Sequence, residues 1–153
     1  MRKKAEEYIV FPYYYSETGL THYTEEVFTQ RFPNATQHLN NYREALDSRD
    51  KDKTAQWFEY GRSQALAHLN QPKLLLSTVI TNSVEAYLLT TDTVPYSGIF
   101  ITVKDEAYTL EDAKHILQSP DFLSYVKSLG ISVSGKSKRI TCKDINNYKF
   151  VKE

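Results

Sequence analysis

Residues 56–70 read QWFEYGRSQALAHLN and contain the only tryptophan of the chain. Three aromatic residues, at positions 57, 58 and 60, stand directly before Gly61, and Arg62 and Gln64 follow it. Arginine has a planar fork that fits the two major-groove acceptors of guanine, and glutamine can donate to and accept from adenine at once. The segment therefore suits recognition of nucleic acid. Trp57 also has the residue type of a core side chain, and the sequence leaves both roles open.

Length and charge set the limits for the rest of the chain. With 153 residues, one domain with a real core is expected over residues 1–153. Basic and acidic residues are equal at 19 each, so any DNA affinity has to come from a local patch. Residues 131–153 provide such a patch, with two acidic residues against six basic ones: Lys136, Lys138, Arg139, Lys143, Lys149 and Lys152.

Cysteine and histidine usage argues against a metal site. The single cysteine, Cys142, excludes an internal disulfide and is predicted to be a small buried residue in a reducing compartment. None of the four histidines has a second ligand at metal spacing, so no metal is expected. The charged start and the lack of a long apolar run predict a soluble, cytoplasmic protein with no signal peptide and no membrane partner.

The first part of the chain reads as a strand followed by two helices. Residues 8–15 have strand composition, with Pro12 favouring an edge or a bulge. Thr24 is expected to cap a helix that ends near residue 32, and Asn34 to cap a second helix that ends by Ser48. The alternating charges of residues 49–53 predict a solvated loop.

The second part reads as three short strands followed by two helices. Strands over residues 73–80, 86–91 and 99–103 predict an antiparallel meander. Thr109 starts one helix through a capping box. Ser119 caps another, which has Phe122, Val126 and Leu129 on one face and stops at Gly130. A further strand is expected near residues 139–142. The fold class predicted is α+β, with an antiparallel or mixed sheet and several short helices.

Residues 130–137, GISVSGKS, match the P-loop pattern of two glycines, a lysine and a serine. A P-loop leaves a buried strand and enters a helix, whereas here a helix precedes the pattern and a β-branched, basic segment follows it. Nucleotide hydrolysis is therefore rejected. The segment is predicted to be a flexible basic loop that presents its cations to phosphates.

The ordered set of motifs resembles a known family. The set comprises YIVFPY at 8–13, FP at 32–33 with a helix over 39–46, RD at 49–50, WFEYGRSQ at 57–64, KL at 73–74, YSG at 96–98, residues 122–125, and SGKSKRIT at 134–141. Together these segments are similar to the TaqI-like C-terminal target recognition domain of adenine-N6 DNA methyltransferases of bacterial restriction-modification systems. The resemblance extends from about residue 7 to residue 150.

This resemblance implies a non-catalytic chain whose partner is double-stranded DNA. In the family, a catalytic domain of the same protein binds S-adenosylmethionine and methylates an extruded adenine, since the target atom is unreachable inside the stack. This chain has no cofactor loop and no Asn-Pro-Pro-Tyr motif, so no cofactor is expected in it, and it resembles an excised or separately encoded recognition domain. The alternative is a protein-protein interaction module with an aromatic-rich surface.

The DNA-binding residues predicted fall into three groups. Arg62 and Gln64 are expected near the bases, and Trp57 and Tyr60 are expected mainly to shape the loop, with stacking as their other role. Phosphate contacts are expected from Lys136, Lys138, Arg139 and Lys143. No residues are assigned to catalysis or to a metal.

Overall fold

The computed structural model describes residues 9–95, 97–105, 107–129 and 131–150. The chain divides into two compact units, residues 1–67 and 68–153, and each is described by itself. One domain over the whole chain stays a prediction. Some residues named in the predictions lie outside the described residues. They include Tyr8 at the start of a predicted strand, Tyr96 in one of the motifs, and Gly130 at the predicted end of a helix.

The first unit begins with a hairpin and continues with three short helices. Its strands and α-helices are β1 (Tyr13–Ser16), β2 (Gly19–His22), α1 (Glu25–Arg31), α2 (Pro33–Asn40) and α3 (Arg43–Ser48), and a 3-10 helix, Gln64–His68, follows them along the chain. Thr24 caps α1 as predicted, because its hydroxyl accepts a hydrogen bond from the Val27 amide at 3.3 Å. The prediction for Asn34 is wrong, since Pro33 takes the first helical position and the cap is Phe32. The helix predicted to end at Ser48 does end there but is divided into α2 and α3.

Aromatic rings form the core of the first unit. Phe28 of α1 stacks on Phe58 with ring centres 4.3 Å apart and planes at 7°. Trp57 meets Phe58 edge to face at 5.6 Å, and Tyr23 completes the buried cluster. Burying a ring of this size contributes about 2 kcal/mol to the free energy of unfolding. The segment 56–70 therefore anchors the fold of the first unit as well as carrying Arg62 and Gln64.

The second unit contains six strands and three helices among the described residues. They are β3 (Lys73–Leu76), β4 (Val79–Ile80), β5 (Ala86–Leu89), β6 (Ile99–Ile101), α4 (Leu110–Leu117), α5 (Pro120–Ser128), β7 (Ser132–Ser134), β8 (Ser137–Arg139) and α6 (Cys142–Asn147). Its core includes Leu74 and Leu76 of β3, Leu117 of α4, and Phe122 and Val126 of α5. The α+β class is confirmed, and every strand pair that the structure describes is antiparallel. Within the described ranges, no helix has the length and apolarity needed to cross a bilayer.

In the first of the two three-stranded sheets of this unit, the strand order differs from the predicted meander. The order is β5, β3, β6, so β3 lies in the middle and pairs with both other strands. Leu74 and Leu76 of this strand are completely buried, which fits its central place.

The strand predicted over residues 73–80 is interrupted at Ser77. The Ser77 hydroxyl accepts from the Val79 amide at 3.2 Å and donates to the Val79 carbonyl at 2.9 Å. This local pairing competes with the ladder, so β3 ends at Leu76. The following strand, β4, joins a second sheet of order β4, β8, β7.

Helix starts in the second unit follow the predicted caps. Thr109 and Asp112 form a capping box at the start of α4, and Ser119 caps α5 through the Phe122 amide. Of the three residues predicted to share one face of α5, Phe122 and Val126 are buried, with 1% and 0% of their surface exposed, and Leu129 is partly buried against the same core. These caps depend on residues only three positions apart, which is why they can be predicted from the sequence.

The end of the second unit differs from the prediction. The strand expected over residues 139–142 ends at Arg139, because Thr141 and Asp144 form a second capping box and start α6. Cys142 is the first residue of this helix and is exposed, so its predicted burial is wrong.

Lys73 is the one lysine among the described residues that is completely buried, at 0% exposure. Its ammonium donates to the carbonyls of Thr90 and Thr93 at 2.7 and 2.9 Å, which holds the turn after β5. Burial lowers the pKa of Lys73, and the nearby Asp92 carboxylate opposes part of that shift. The role of Lys73 is thus structural.

Candidate nucleic-acid interface

Trp57 occupies a core position with 5% of its surface exposed. Its indole nitrogen donates to the Glu25 carboxylate at 2.7 Å, and the Arg43 guanidinium lies 4.0 Å from the centre of its ring. The indole N–H and one face of the ring are therefore already used inside the protein. This arrangement fits the shaping role of Trp57 rather than the stacking of a base on its ring.

Tyr60 fixes the start of the loop that carries Arg62. Its hydroxyl donates to the Val10 carbonyl at 2.8 Å, and its amide donates to the Tyr13 hydroxyl at 2.8 Å. Both bonds span about fifty positions of sequence, so they tie this part of the chain to the N-terminal segment. Tyr60 also fits the shaping role predicted for it.

Arg49 is not part of a solvated loop, contrary to the prediction for residues 49–53. It is partly buried, and its guanidinium donates to the main-chain carbonyls of Trp57 and Glu59. The Glu59 side chain, 1% exposed, accepts from the Gln56 amide at 3.1 Å and lies 2.8 Å from Nδ1 of His22. Segments 49–53 and 56–60 are thereby locked to each other and to β2.

Arg62 and Gln64 lie side by side on the exposed surface of this locked loop. The two terminal nitrogens of Arg62 donate to Asp50 at 2.7 Å and to Asp52 at 3.0 Å. The amide nitrogen of Gln64 donates to the other oxygen of Asp52 at 2.7 Å. The structure therefore brings together the two residues predicted to lie near bases, and adds two carboxylates to them.

Gly61 allows the two halves of this loop to approach. A Cβ atom built on Gly61 would lie 2.8 Å from the main-chain oxygen of Asp50, which is closer than carbon and oxygen tolerate. The Asp52 amide also donates to the Gly61 carbonyl at 2.9 Å. A side chain at position 61 would force residues 50–52 away from residues 61–64.

We expect Gly61→Ala to destabilise the first unit by about 1–3 kcal/mol, the usual cost of overpacking. The Asp52 amide should exchange with solvent deuterium faster than in the wild type, since its acceptor is displaced. Urea unfolding followed by fluorescence of the single tryptophan, together with amide exchange, measures both effects. Ala65→Ser, at an exposed position of the same segment, is the control and should leave both unchanged.

The four cations predicted to meet phosphates belong to the second unit. Residues 132–139 form the hairpin β7–β8 and not the flexible loop that was predicted, with Gly135 in the turn at φ +54°. Lys136 lies in the turn and is exposed, while Lys138 is partly buried and donates to the Ser132 hydroxyl at 3.1 Å. Arg139, opposite Val79, is exposed, and Lys143 is exposed on α6 beside Asp144.

The hairpin also differs from a P-loop. Ser137 begins β8, whereas the lysine and serine of a P-loop begin a helix. The helix nearest in sequence, α6, begins only at Cys142. The first glycine of the pattern, Gly130, lies outside the described residues.

The site residues that sequence reasoning missed are Asp50, Asp52, His22 and Glu59. Asp50 and Asp52 lie ten to twelve positions before their partners, beyond the range of any helix or turn pattern. Their alternation with lysines was the available signal, but it is equally typical of a solvated loop. His22 and Glu59 are thirty-seven positions apart and give no local signal.

A scan against protein-family models and searches of curated proteins and of solved structures found no match to this chain. Within the described residues, no group of three or more His, Cys, Asp or Glu side chains is placed to hold a metal ion. The functional argument therefore depends on the side chains of the loop and the hairpin.

Proposed function

We propose that this chain recognises double-stranded DNA and supplies sequence specificity to an adenine-N6 DNA methyltransferase or a fused restriction-modification enzyme. The catalytic domain of that enzyme would bind S-adenosylmethionine and act on the adenine, and this chain would be non-catalytic. The assignment to a methyltransferase is supported by the order of the sequence motifs, which resembles that of TaqI-like target recognition domains. Support for DNA binding comes from exposed side chains in both units.

The observation that carries the proposal is the group of cations on β7–β8. The hairpin carries three cations in a stretch of four residues: Lys136, Lys138 and Arg139. None of them takes part in an ion pair among the described residues. Free cations that are held in place can neutralise phosphates and release counterions from the duplex. The paired hairpin holds their spacing better than a flexible loop could.

We expect Lys138→Ala combined with Arg139→Ala to weaken binding to all duplex sequences about tenfold at low salt. The loss of two phosphate contacts should also reduce the slope of log K against log salt by about 1.8. Fluorescence anisotropy with a labelled mixed-sequence duplex at several salt concentrations measures both quantities.

The matched control is Lys104→Ala combined with Lys127→Ala, which removes the same charge from two exposed positions of the same unit. Its salt slope should stay close to that of the wild type. If both double variants change the slope equally, binding is a matter of overall charge and the hairpin is not the contact site. Thermal unfolding of each variant shows whether the fold is kept.

The alternative function, a protein-protein interaction module, has its support in exposed aromatic side chains. Tyr42 and Tyr87 have 57% and 54% of their surface exposed, more than a core or a structural role requires. Such a module should show no salt-sensitive binding to duplex DNA, so the same titration distinguishes it from the proposed function.

A further inference from the structure

Asp52 contacts both of the side chains that are suited to read bases. One carboxylate oxygen accepts from Arg62 at 3.0 Å, and the other accepts from Gln64 at 2.7 Å. Its side chain is 25% exposed, against 56% for Arg62, so Asp52 is the more shielded partner of this ion pair. Its own amide is bound to the Gly61 carbonyl at 2.9 Å, which fixes the main chain at this point.

The contact with Asp52 fixes the orientation of the Gln64 amide. Only the nitrogen of the amide can donate to a carboxylate, so Oε1 is turned away from Asp52. The nitrogen keeps a second hydrogen, and together with Oε1 it forms the donor-acceptor edge that matches adenine in the major groove. Without Asp52 the amide could rotate and present its two groups in the opposite order.

The two carboxylates around Arg62 change what that residue can contribute. Asp50 and Asp52 together carry more negative charge than the guanidinium offsets. Arg62 therefore adds little to the sequence-independent attraction for phosphates, which depends on net positive charge. Each terminal nitrogen of Arg62 still has a second hydrogen that can be donated to guanine, so the contribution of Arg62 is to discrimination between bases.

From this geometry we propose that Asp52 is a positioning residue that holds Arg62 and Gln64 as one unit for reading a guanine and an adenine in the same site. The proposal rests on the DNA recognition proposed above and names the bases that the loop selects. Because one carboxylate binds both head groups, the two bases lie within two or three stacked pairs, at about 3.4 Å per step. Asp52 itself touches no base.

Selection of bound duplexes from a random-sequence library, using the complete chain, tests the proposal. The wild type should enrich a G·C pair and an A·T pair within a window of about three base pairs. Asp52→Ala should reduce the enrichment about fivefold or more at both positions, in line with the loss of two base contacts. Its affinity for the unselected library should stay equal or rise, because the variant has one negative charge fewer.

Asp50→Ala is the matched control, since it removes the same charge and contacts Arg62 but not Gln64. It should alter enrichment at the guanine position alone. Asp52→Asn, which keeps the shape of the side chain but one acceptor oxygen only, should restore at most one of the two positions. Tryptophan fluorescence during urea unfolding establishes that each variant is folded.

The outcomes separate this inference from the proposed function. If the wild type enriches bases and Asp52→Ala leaves the enrichment unchanged, or changes it as Asp50→Ala does, the inference is overturned and DNA recognition stands. If Asp52→Ala lowers affinity for all sequences alike, its role is structural and the inference is again overturned. If the wild type shows no salt-sensitive binding, both proposals fail together.

Discussion

Replacing His22 with phenylalanine is expected to lower the free energy of unfolding of the first unit by about 2–3 kcal/mol. Phenylalanine keeps the edge-to-face contact that the ring makes with Tyr13 at 5.2 Å. It cannot donate to Glu59, whose carboxylate is 1% exposed and would retain the Gln56 amide as its one donor among the described residues. An uncompensated buried carboxylate, and not the lost contact itself, is the source of the cost. Urea unfolding followed by Trp57 fluorescence measures it.

A second substitution shows whether the carboxylate is responsible. Glu59→Gln removes the charge and nearly keeps the volume, so the double variant should recover part of the stability that His22→Phe loses. The His22 side chain is 47% exposed, so the loss of stability should lie at the lower end of the range found when a buried ion pair is broken. Equal losses in the single and the double variant would contradict an electrostatic origin.

The sequence predicted those elements whose signals lie within one turn of the chain. Thr24, Thr109 and Ser119 each cap a helix because the hydroxyl accepts a hydrogen bond from the amide three positions later. Thr141 and Asp144 carry the same signature at the end of the segment predicted as a strand, and α6 begins there. The helix that resulted exposes Cys142.

Strand pairing could not be predicted in the same way. Whether β3 lies between β5 and β6 or at an edge depends on residues ten or more positions away. The break at Ser77 sends β4 to pair with β8, about sixty positions later, and no local pattern records that choice. Register and sheet membership are therefore long-range properties, while caps are local.

The candidate site shows the same division. Residue type alone predicts which bases Arg62 and Gln64 can bind, because the geometry of the guanidinium and of the amide belongs to the side chain itself. Their carboxylate partners and the burial of Trp57 required the fold, since Glu25 and Arg43 meet the indole from distant helices. Residue type thus indicated which groups could read bases, and the fold decided which of them are exposed.

Alkaline pH is expected to destabilise the first unit through Tyr13, which has 4% of its surface exposed. Burial raises the pKa of Tyr13 to about 12, and the hydrogen bond from the Tyr60 amide opposes part of that shift. An unfolded tyrosine ionises near pH 10. Between pH 10 and 12 the folded chain keeps a proton that the unfolded chain has lost, so stability falls as pH rises through this window. A difference of two pKa units corresponds to about 2–3 kcal/mol.

Tyr13→Phe separates this titration from all others in the chain. At pH 8 the variant should be less stable than the wild type by about 1 kcal/mol, because the Tyr60 amide loses its acceptor. At pH 11.5 the difference should shrink or reverse, since the variant has no phenol to ionise at this position. Burial also raises the pKa values of Tyr15 and Tyr60, so the variant should still lose some stability above pH 10. Urea midpoints followed by far-ultraviolet circular dichroism at both pH values measure the difference, and a constant difference would contradict a buried neutral phenol at Tyr13.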